Sequence, residues 1–372
     1  MKSIDEMTKQ ELLIERVQLQ KDISKFKNLQ LAKKVQLNSA YGALGNKYFR
    51  HFDVRMAEGI TLSGQLSIRW IERMMNEYLN KILDTKGKDY VIASDTDSLY
   101  ITFDKLVGKV YKERREIPSV DKIVAFLDTV AEKKIEPYID KCYQLLAENM
   151  NAYSQKMFMK REAIADKGVW TAKKRYILNV YDNEGVRYAE PKLKMMGIET
   201  VKSSTPAVCR GALKKAISII MNEDEKTAQD YINSFREEFR SMPFEDVAFP
   251  RSISDLNKYT IKDKNLIIPK GTPIHARGAL VYNHLLKINK LTKQYELIKD
   301  GEKIKFCYLK VPNPARQNVI SVLSTLPKKF GIAQYIDYDL QFDKSFLEPL
   351  KIILNSVGWS PEKANTLEDF FG

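Results

Sequence analysis

Between Lys9 and Tyr41 the chain holds neither glycine nor proline; the first glycine is Gly42 and the first proline Pro118. In that stretch Leu12, Leu19, Ile23 and Phe26 recur at helical spacing, with Lys and Glu between them, so a helix is expected over 8–41. A second helical stretch is expected from about Met56 to Leu83. After Gly87 the pattern changes. The run Tyr90-Val91-Ile92-Ala93-Ser94-Asp95-Thr96-Asp97-Ser98-Leu99-Tyr100-Ile101 reads as a buried β-hairpin interrupted by two carboxylates. A charged segment follows over 109–122, then an expected helix over about 123–150. Residues 168–198 read as strands, with Asp182-Asn183-Glu184-Gly185 as a hairpin turn. Past "SSTP" at 203–206 two helical patterns fill 207–242, mixed structure fills 244–340, and a last helix is expected over about 345–357. The pattern implies an α+β chain with antiparallel strands. No internal repeat or low-complexity tract is read from it.

The chain has 372 residues, enough for two or three domains, and 44% apolar residues, enough for a core. Its formal charge of +13 and pI of about 9.3 point to a polyanionic partner, nucleic acid before membrane. The three cysteines, Cys142, Cys209 and Cys307, are far apart and form no disulfide or zinc spacing. They read as small buried hydrophobes in a reducing compartment. The N-terminus lacks an apolar leader, and no segment approaches ~18 uncharged apolar residues, so a soluble, intracellular protein without membrane contact is expected. His51, His275 and His284 form no metal-ligand pattern.

Three stretches carry candidate chemistry. In "KKVQLNSAYGALG", 33–45, helical spacing puts Lys34, Asn38 and Tyr41 on one face. A cation, an amide and a ring suit a nucleotide; a solvated lysine near a helix end capped by Gly42 is the competing reading. In "ASDTDSLY", 93–100, Asp95 and Asp97 suit Mg²⁺, which prefers oxygen ligands, although Asp in turns also serves local hydrogen bonding. Lys173-Lys174-Arg175-Tyr176 opens a strand-like run and suits phosphate contacts; from the residues alone an exposed charge run on a strand edge is the preferred reading. Glu162 is a further polar outlier with the same ambiguity.

Taken in order, "KxxxNSxYG", then "DTDS", then "KKRY" resembles the family B DNA polymerases: their B and C motifs and their lysine-rich primer-side motif. "NSAYGALGNKYFRHFD", "MGIETVKSSTP" and the terminal "LEDFFG" look most like the replicative polymerases of T-even-type bacteriophages. The resemblance covers nearly the whole chain but only the C-terminal part of such a polymerase. It implies an incomplete right-hand architecture. Residues 1–45 would be the C-terminal fingers helix, 46–198 a palm with an antiparallel sheet and helices, 199–366 a mixed, mostly helical thumb, and 367–372 a clamp-binding tail.

The resemblance also implies roles. Lys34 would contact the incoming deoxynucleoside triphosphate and protonate the leaving pyrophosphate. Asn38, Tyr41 and Gly42 would line the nascent base pair. Asp97, with Asp95 beside it, would hold Mg²⁺, two ions in all, with Glu162 in the outer sphere. Lys173, Lys174, Arg175 and Tyr176 would hold primer–template DNA. Leu367, Phe370 and Phe371 would dock on a sliding clamp. The family's A motif, which supplies the aspartate bridging both metals, is not found, nor are its exonuclease motifs. The expectation is therefore one subunit of a split polymerase, or a fragment of a longer chain, completed by an N-terminal polymerase chain in the cytoplasm of a bacterial host. The alternative is a non-catalytic module that binds duplex DNA and tethers the clamp.

Overall fold

The computed structural model describes residues 6–113, 118–259 and 268–362. Packing divides the chain into two compact units, Met1–Arg161 and Glu162–Gly372.

The first unit opens with helix α1, Lys9–Leu44. Its start is set by a capping box: the Thr8 hydroxyl accepts from the Glu11 N–H, and the Glu11 carboxylate accepts from the Thr8 N–H. It ends at Gly45, three residues past the expected Gly42 cap. Helical spacing anticipated the element but not its environment. No residue of α1 is buried; Leu12, Leu19, Ile23 and Phe26 are 40, 52, 54 and 63% exposed. The apolar residues include the consecutive triplet Leu12-Leu13-Ile14, so they wrap round the helix instead of forming one stripe.

Helix α2, Val54–Ile82, is capped by the Asp53 carboxylate on the Arg55 N–H. It buries Ile71, Met75 and Leu79, at successive four-residue steps, against α5, Glu136–Asn149. Burying such side chains stabilises by roughly 1.5–3 kcal/mol each. Trp70 Nε1 donates to the Cys142 carbonyl at 2.9 Å, and the stacked rings of Tyr78 and Tyr138 lie 4.0 Å apart. Strands β1, Val91–Asp95, and β2, Ser98–Ile101, form an antiparallel hairpin on this core through Tyr90 and Val91. The charged stretch after it holds a helix, α3, Asp104–Glu113, that hydrophobic patterning passed over. The expected helix over 123–150 is α4, Val120–Val130, joined to α5 by one π-turn.

In the second unit β3, Ala163–Ala172, β4, Arg175–Asn183, and β5, Val186–Met196, form an antiparallel sheet with β4 central. The expected hairpin turn is present, with Glu184 and Gly185 both at positive φ, 52° and 86°. Ile177 of β4 and Ile198 join one core with α6, Ala207–Asn222, and α7, Glu225–Ser241. That shared core places the strands of 163–196 with the residues that follow them. A short helix α8, Phe244–Val247, leads into β6, Phe249–Ser252. Strand β6 pairs with β7, Lys303–Tyr308, which pairs with β8, Val319–Val322, both antiparallel. Helix α9, Ile274–Ile288, lies on β8. Helices α10, Tyr338–Phe342, and α11, Glu348–Ser356, joined by a π-turn, bring Phe342 and Phe346 against Phe235 and Phe239. All three cysteines are buried and free. Among the described residues no helix is long and apolar enough to cross a membrane.

Helices α6 and α9 open on one shared pattern, Thr-Pro-x-x-x-Arg-Gly-Ala-Leu, at 205–213 and 272–280. This short repeat escapes a periodicity reading because the flanking residues differ. In both, proline sits at the N-cap and its carbonyl accepts from the arginine N–H, at 3.0 and 2.9 Å. The two glycines diverge. A Cβ on Gly278 would lie 2.8 Å from the Ser321 nitrogen and 2.9 Å from the Ile320 carbonyl carbon, whereas one on Gly211 meets nothing within 4 Å. Glycine in a helix interior costs about 1 kcal/mol relative to alanine. Gly211→Ala should therefore raise stability by about 0.5–1 kcal/mol in urea unfolding. Gly278→Ala should lower it by about 1–3 kcal/mol by driving α9 off β8. A stabilising Gly278→Ala would contradict the close approach.

Candidate functional site

The acidic hairpin is held from behind by one side chain of α2. Asn76 Oδ1 accepts from the backbone N–H of Tyr90 at 2.8 Å and of Val91 at 3.0 Å, and Asn76 Nδ2 donates to Asp89 at 2.7 Å. One turn on, Asn80 bonds both the N–H and the carbonyl of Lys88. Two amides thus position the entry to β1. A register shift at Ile92 follows, a bulge of the kind found beside functional sites. Asp95 pairs with Ser98, leaving Thr96 and Asp97 as the turn. The Asp97 N–H reaches the Asp95 carbonyl at 2.6 Å, and Thr96 sits at φ 54°. A β-branched residue there is strained, and such strain clusters at ligand sites.

The hairpin was expected to be buried, and in this respect the expectation changes. Tyr90 and Val91 are buried, but Asp95 is half-buried and Asp97 exposed at the tip. No buried charge therefore needs explaining. The two carboxylates instead sit on an accessible, internally bonded turn, and the Thr96 hydroxyl donates to Asp95 Oδ1 at 3.0 Å. Ser94 donates to Glu72 of α2 at 3.1 Å, a second tie between the hairpin and that helix. Burial, and secondarily the charge of Asp97, pushes the Tyr143 phenol upward. Among the described residues no group of three or more His, Cys, Asp or Glu side chains is placed to hold a metal ion.

Because α1 runs unbroken to Leu44, Lys34, Asn38 and Tyr41 do share one helix face. All three are exposed, as is Gly42, which lies inside the last helical turn.

The Lys173–Tyr176 segment is a hairpin corner as well as the start of a strand. Lys173 and Lys174 form the tight connection between β3 and β4, with Lys174 at φ 60°, and both side chains are exposed. Gly197 packs under this corner at φ 67°; a Cβ there would lie 2.3 Å from the Lys174 carbonyl oxygen. Arg175 is ion-paired with Glu199 at 2.7 Å, and Lys202 meets the other Glu199 oxygen at 2.9 Å. Tyr176 is buried beside Trp170. Two of the four candidate residues thus face solvent, and two brace the corner. Glu162, just before β3, is ion-paired with Lys194. The tail residues Leu367, Phe370 and Phe371 lie outside the described residues.

Sequence reading missed Asn76, Glu72 and Glu199. A signal existed for the first: Asn76 and Asn80 sit one turn apart on an otherwise amphipathic helix. Glu199 follows Gly197 too closely to belong to the strand, which marks a turn but not its partner.

Residues 74–234 match the family described as divergent family B DNA polymerase, a span that contains both the acidic hairpin and the lysine corner. The DNA-directed DNA polymerases of Enterobacteria phage T4 and Escherichia phage RB69 are 39% and 40% identical to this chain, over 355 and 354 residues. The chain belongs to the family B DNA polymerases. Within that family it is of the T-even bacteriophage type. Each comparison takes in 92% of this chain but 38% of the relative, so this chain spans well under half the length of those phage enzymes.

Glu199, beneath the lysine corner, titrates off its ordinary value. Burial pushes its carboxyl upward, but the hydrogen bonds from Lys202 and Arg175 outweigh burial and hold it below 4.5. The charged form is favoured by folding, so its stabilisation is complete above 4.5 and lost as pH falls through the lower folded value. Glu199→Gln should cost about 1–2 kcal/mol in urea unfolding at pH 7, and that difference should shrink steadily below pH 4.5. A gap independent of pH would place the stabilisation elsewhere.

Proposed function

We propose that this chain is the C-terminal portion of a DNA-directed DNA polymerase, comprising a fingers helix (1–45), palm (46–198), thumb (199–366) and clamp-binding tail (367–372). It acts on primer–template DNA and deoxynucleoside triphosphates, and its catalysis is completed by the N-terminal polymerase part, carried on a separate chain or on the same longer one. The observation that carries this reading is the Asp95-Thr96-Asp97 turn: two carboxylates on a strained, accessible tip anchored to α2.

The pair suits a hard divalent cation such as Mg²⁺, which takes oxygen ligands and keeps several waters. Asp97, the more exposed, is the stronger ligand candidate; Asp95 stands beside it, and Glu162 is assigned to the outer sphere. The pair lacks the carboxylate that bridges two ions, so the A-motif aspartate is assigned to the N-terminal polymerase part. Two bound Mg²⁺ ions would neutralise charge on the transferring phosphoryl group and hold the attacking and leaving oxygens in line. Lys34 meets the triphosphate and delivers a proton to the departing pyrophosphate. Asn38 and Tyr41 bound the nascent base pair, and Gly42 lets the backbone come close to it. Lys173 and Lys174 hold primer phosphates, while Arg175 and Tyr176 keep their corner in place. The exposed apolar residues of α1 support a partner polypeptide, because such a surface is usually covered.

The test is primer extension by the purified chain, alone and with the N-terminal polymerase chain added. Extension should appear only in the reconstituted enzyme. Asp97→Asn should abolish it while leaving primer–template affinity within about twofold, since phosphate contacts dominate affinity. Lys34→Ala should slow incorporation and weaken nucleotide binding without loosening DNA. Robust Mg²⁺-dependent extension by the single chain, or by the Asp97→Asn enzyme, would refute the assignment.

The tail assignment has its own check. Deleting residues 367–372, which include Leu367, Phe370 and Phe371, should remove stimulation by a sliding clamp and leave unstimulated extension unchanged. Full clamp stimulation after the deletion would refute it.

A further inference from the structure

The second unit carries a groove of about 580 Å³ between the edge strand β5 and helix α6, remote in sequence from the acidic hairpin. Pro191 and Leu193 of β5 line it on one side, and Gly211, Lys214 and Lys215 of α6 on the other, with Lys192 at the strand edge. On α6 the three residues stand at i, i+3 and i+4, so they form one exposed face, opposite the buried Ala212, Leu213, Ala216 and Ile217. Gly211 adds no side chain, and a Cβ there would enter open space.

Two of the three ammonium groups are held in place. Lys192 Nζ lies 4.0 Å from the centre of the Tyr188 ring, and Lys215 Nζ lies 4.9 Å from that of Tyr231. The Tyr231 hydroxyl is itself tied to the Ala212 carbonyl at 3.4 Å. A ring face orients a cation without neutralising it. No carboxylate lines the groove. The lining has three positive charges, a bare floor and low apolar walls.

We propose that this groove binds the sugar–phosphate backbone of a single nucleic-acid strand. The lysines act as point charges that meet phosphates without base selectivity, and Pro191 and Leu193 offer the sugars an apolar surface. An acidic peptide fits less well, because tight peptide docking rests on anchoring side chains in well-packed apolar pockets, and Pro191 and Leu193 are the groove's two apolar side chains. A flexible single strand can follow a short line of lysines that a stiff duplex meets with only one edge. The proposal rests on this groove and does not depend on the catalytic reading of the hairpin.

The experiment uses the full 372-residue chain and fluorescence anisotropy with three labelled probes: a single-stranded oligothymidylate, a blunt hairpin duplex and an oligoglutamate peptide. In a Lys192→Ala/Lys214→Ala/Lys215→Ala chain, oligothymidylate affinity should fall at least about tenfold. The slope of log affinity against log salt should flatten by about 2, from ~0.7 for each of three lost phosphate contacts. Duplex affinity should stay within about twofold. Gly211→Glu replaces glycine with a better helix former, so it does not threaten folding, and it sets a negative charge in the groove. It should weaken the single-strand probe alone. Lys→Arg at all three positions should retain binding. Unchanged oligothymidylate affinity in both charge variants, an equal loss on the duplex, or tighter binding of oligoglutamate than of oligothymidylate would each overturn the proposal. Because no turnover is measured, these outcomes stand whether or not Asp97 proves catalytic.

Discussion

A two-stranded hairpin is marginal in water, and the acidic tip of this chain sits on one. What makes the tip a fixed object is Asn76. Its carbonyl oxygen accepts from two consecutive backbone N–H groups as the chain enters β1, supplying what a third strand would otherwise provide. The helix that carries Asn76 is locked in turn by Ile71, Met75 and Leu79 against α5. Strain at Thr96 persists because this backing over-determines the turn. Without Asn76 the hairpin would keep only the Asn80 and Ser94–Glu72 ties to α2, and the spacing of Asp95 and Asp97 would be held less firmly.

The second unit solves the corresponding problem with a different device. The lysine corner is set by backbone conformation, with Lys174 left-handed and Gly197 close beneath it. Glu199 then gathers Arg175 and Lys202 onto one carboxylate. Arg175 and Tyr176, expected to face a ligand, instead stabilise the corner, and Lys173 and Lys174 remain at its rim. The four consecutive residues divide the labour: Tyr176 is buried beside Trp170, Arg175 is ion-paired with Glu199, and the two lysines of the turn are exposed.

Much of this was readable from the residues. Long periodic segments such as α1, α2 and α7 declared themselves, and the Asp182–Gly185 turn followed from its composition. The acidic hairpin was recognised as a hairpin, but its exposure was not, because apolar flanks say that a strand packs and do not say how far the packing reaches. The helix α3 was hidden by its charge, being a short amphipathic piece in a polar stretch. The lysine corner was read as the start of a strand, since nothing in Lys-Lys announces a positive φ; that requirement is written in Gly197, more than twenty residues away. Asn76 was passed over because a polar residue on a helix is ordinarily solvated. The side chain that matters most to the site therefore had the least distinctive pattern.

The isolation of α1 has a mechanical side. At 1.5 Å per residue its 36 residues make a rod of about 54 Å that ends at Gly45, taken as the pivot. A tilt of roughly 10° about that point would swing the far end by about 9 Å, but would shift the backbone at Lys34, about 15 Å from the pivot, by only about 3 Å. Whatever grips the distal end works with long leverage. Any excursion there is geared down to a small displacement at the lysine, the scale on which one ammonium group gains or loses a phosphate oxygen.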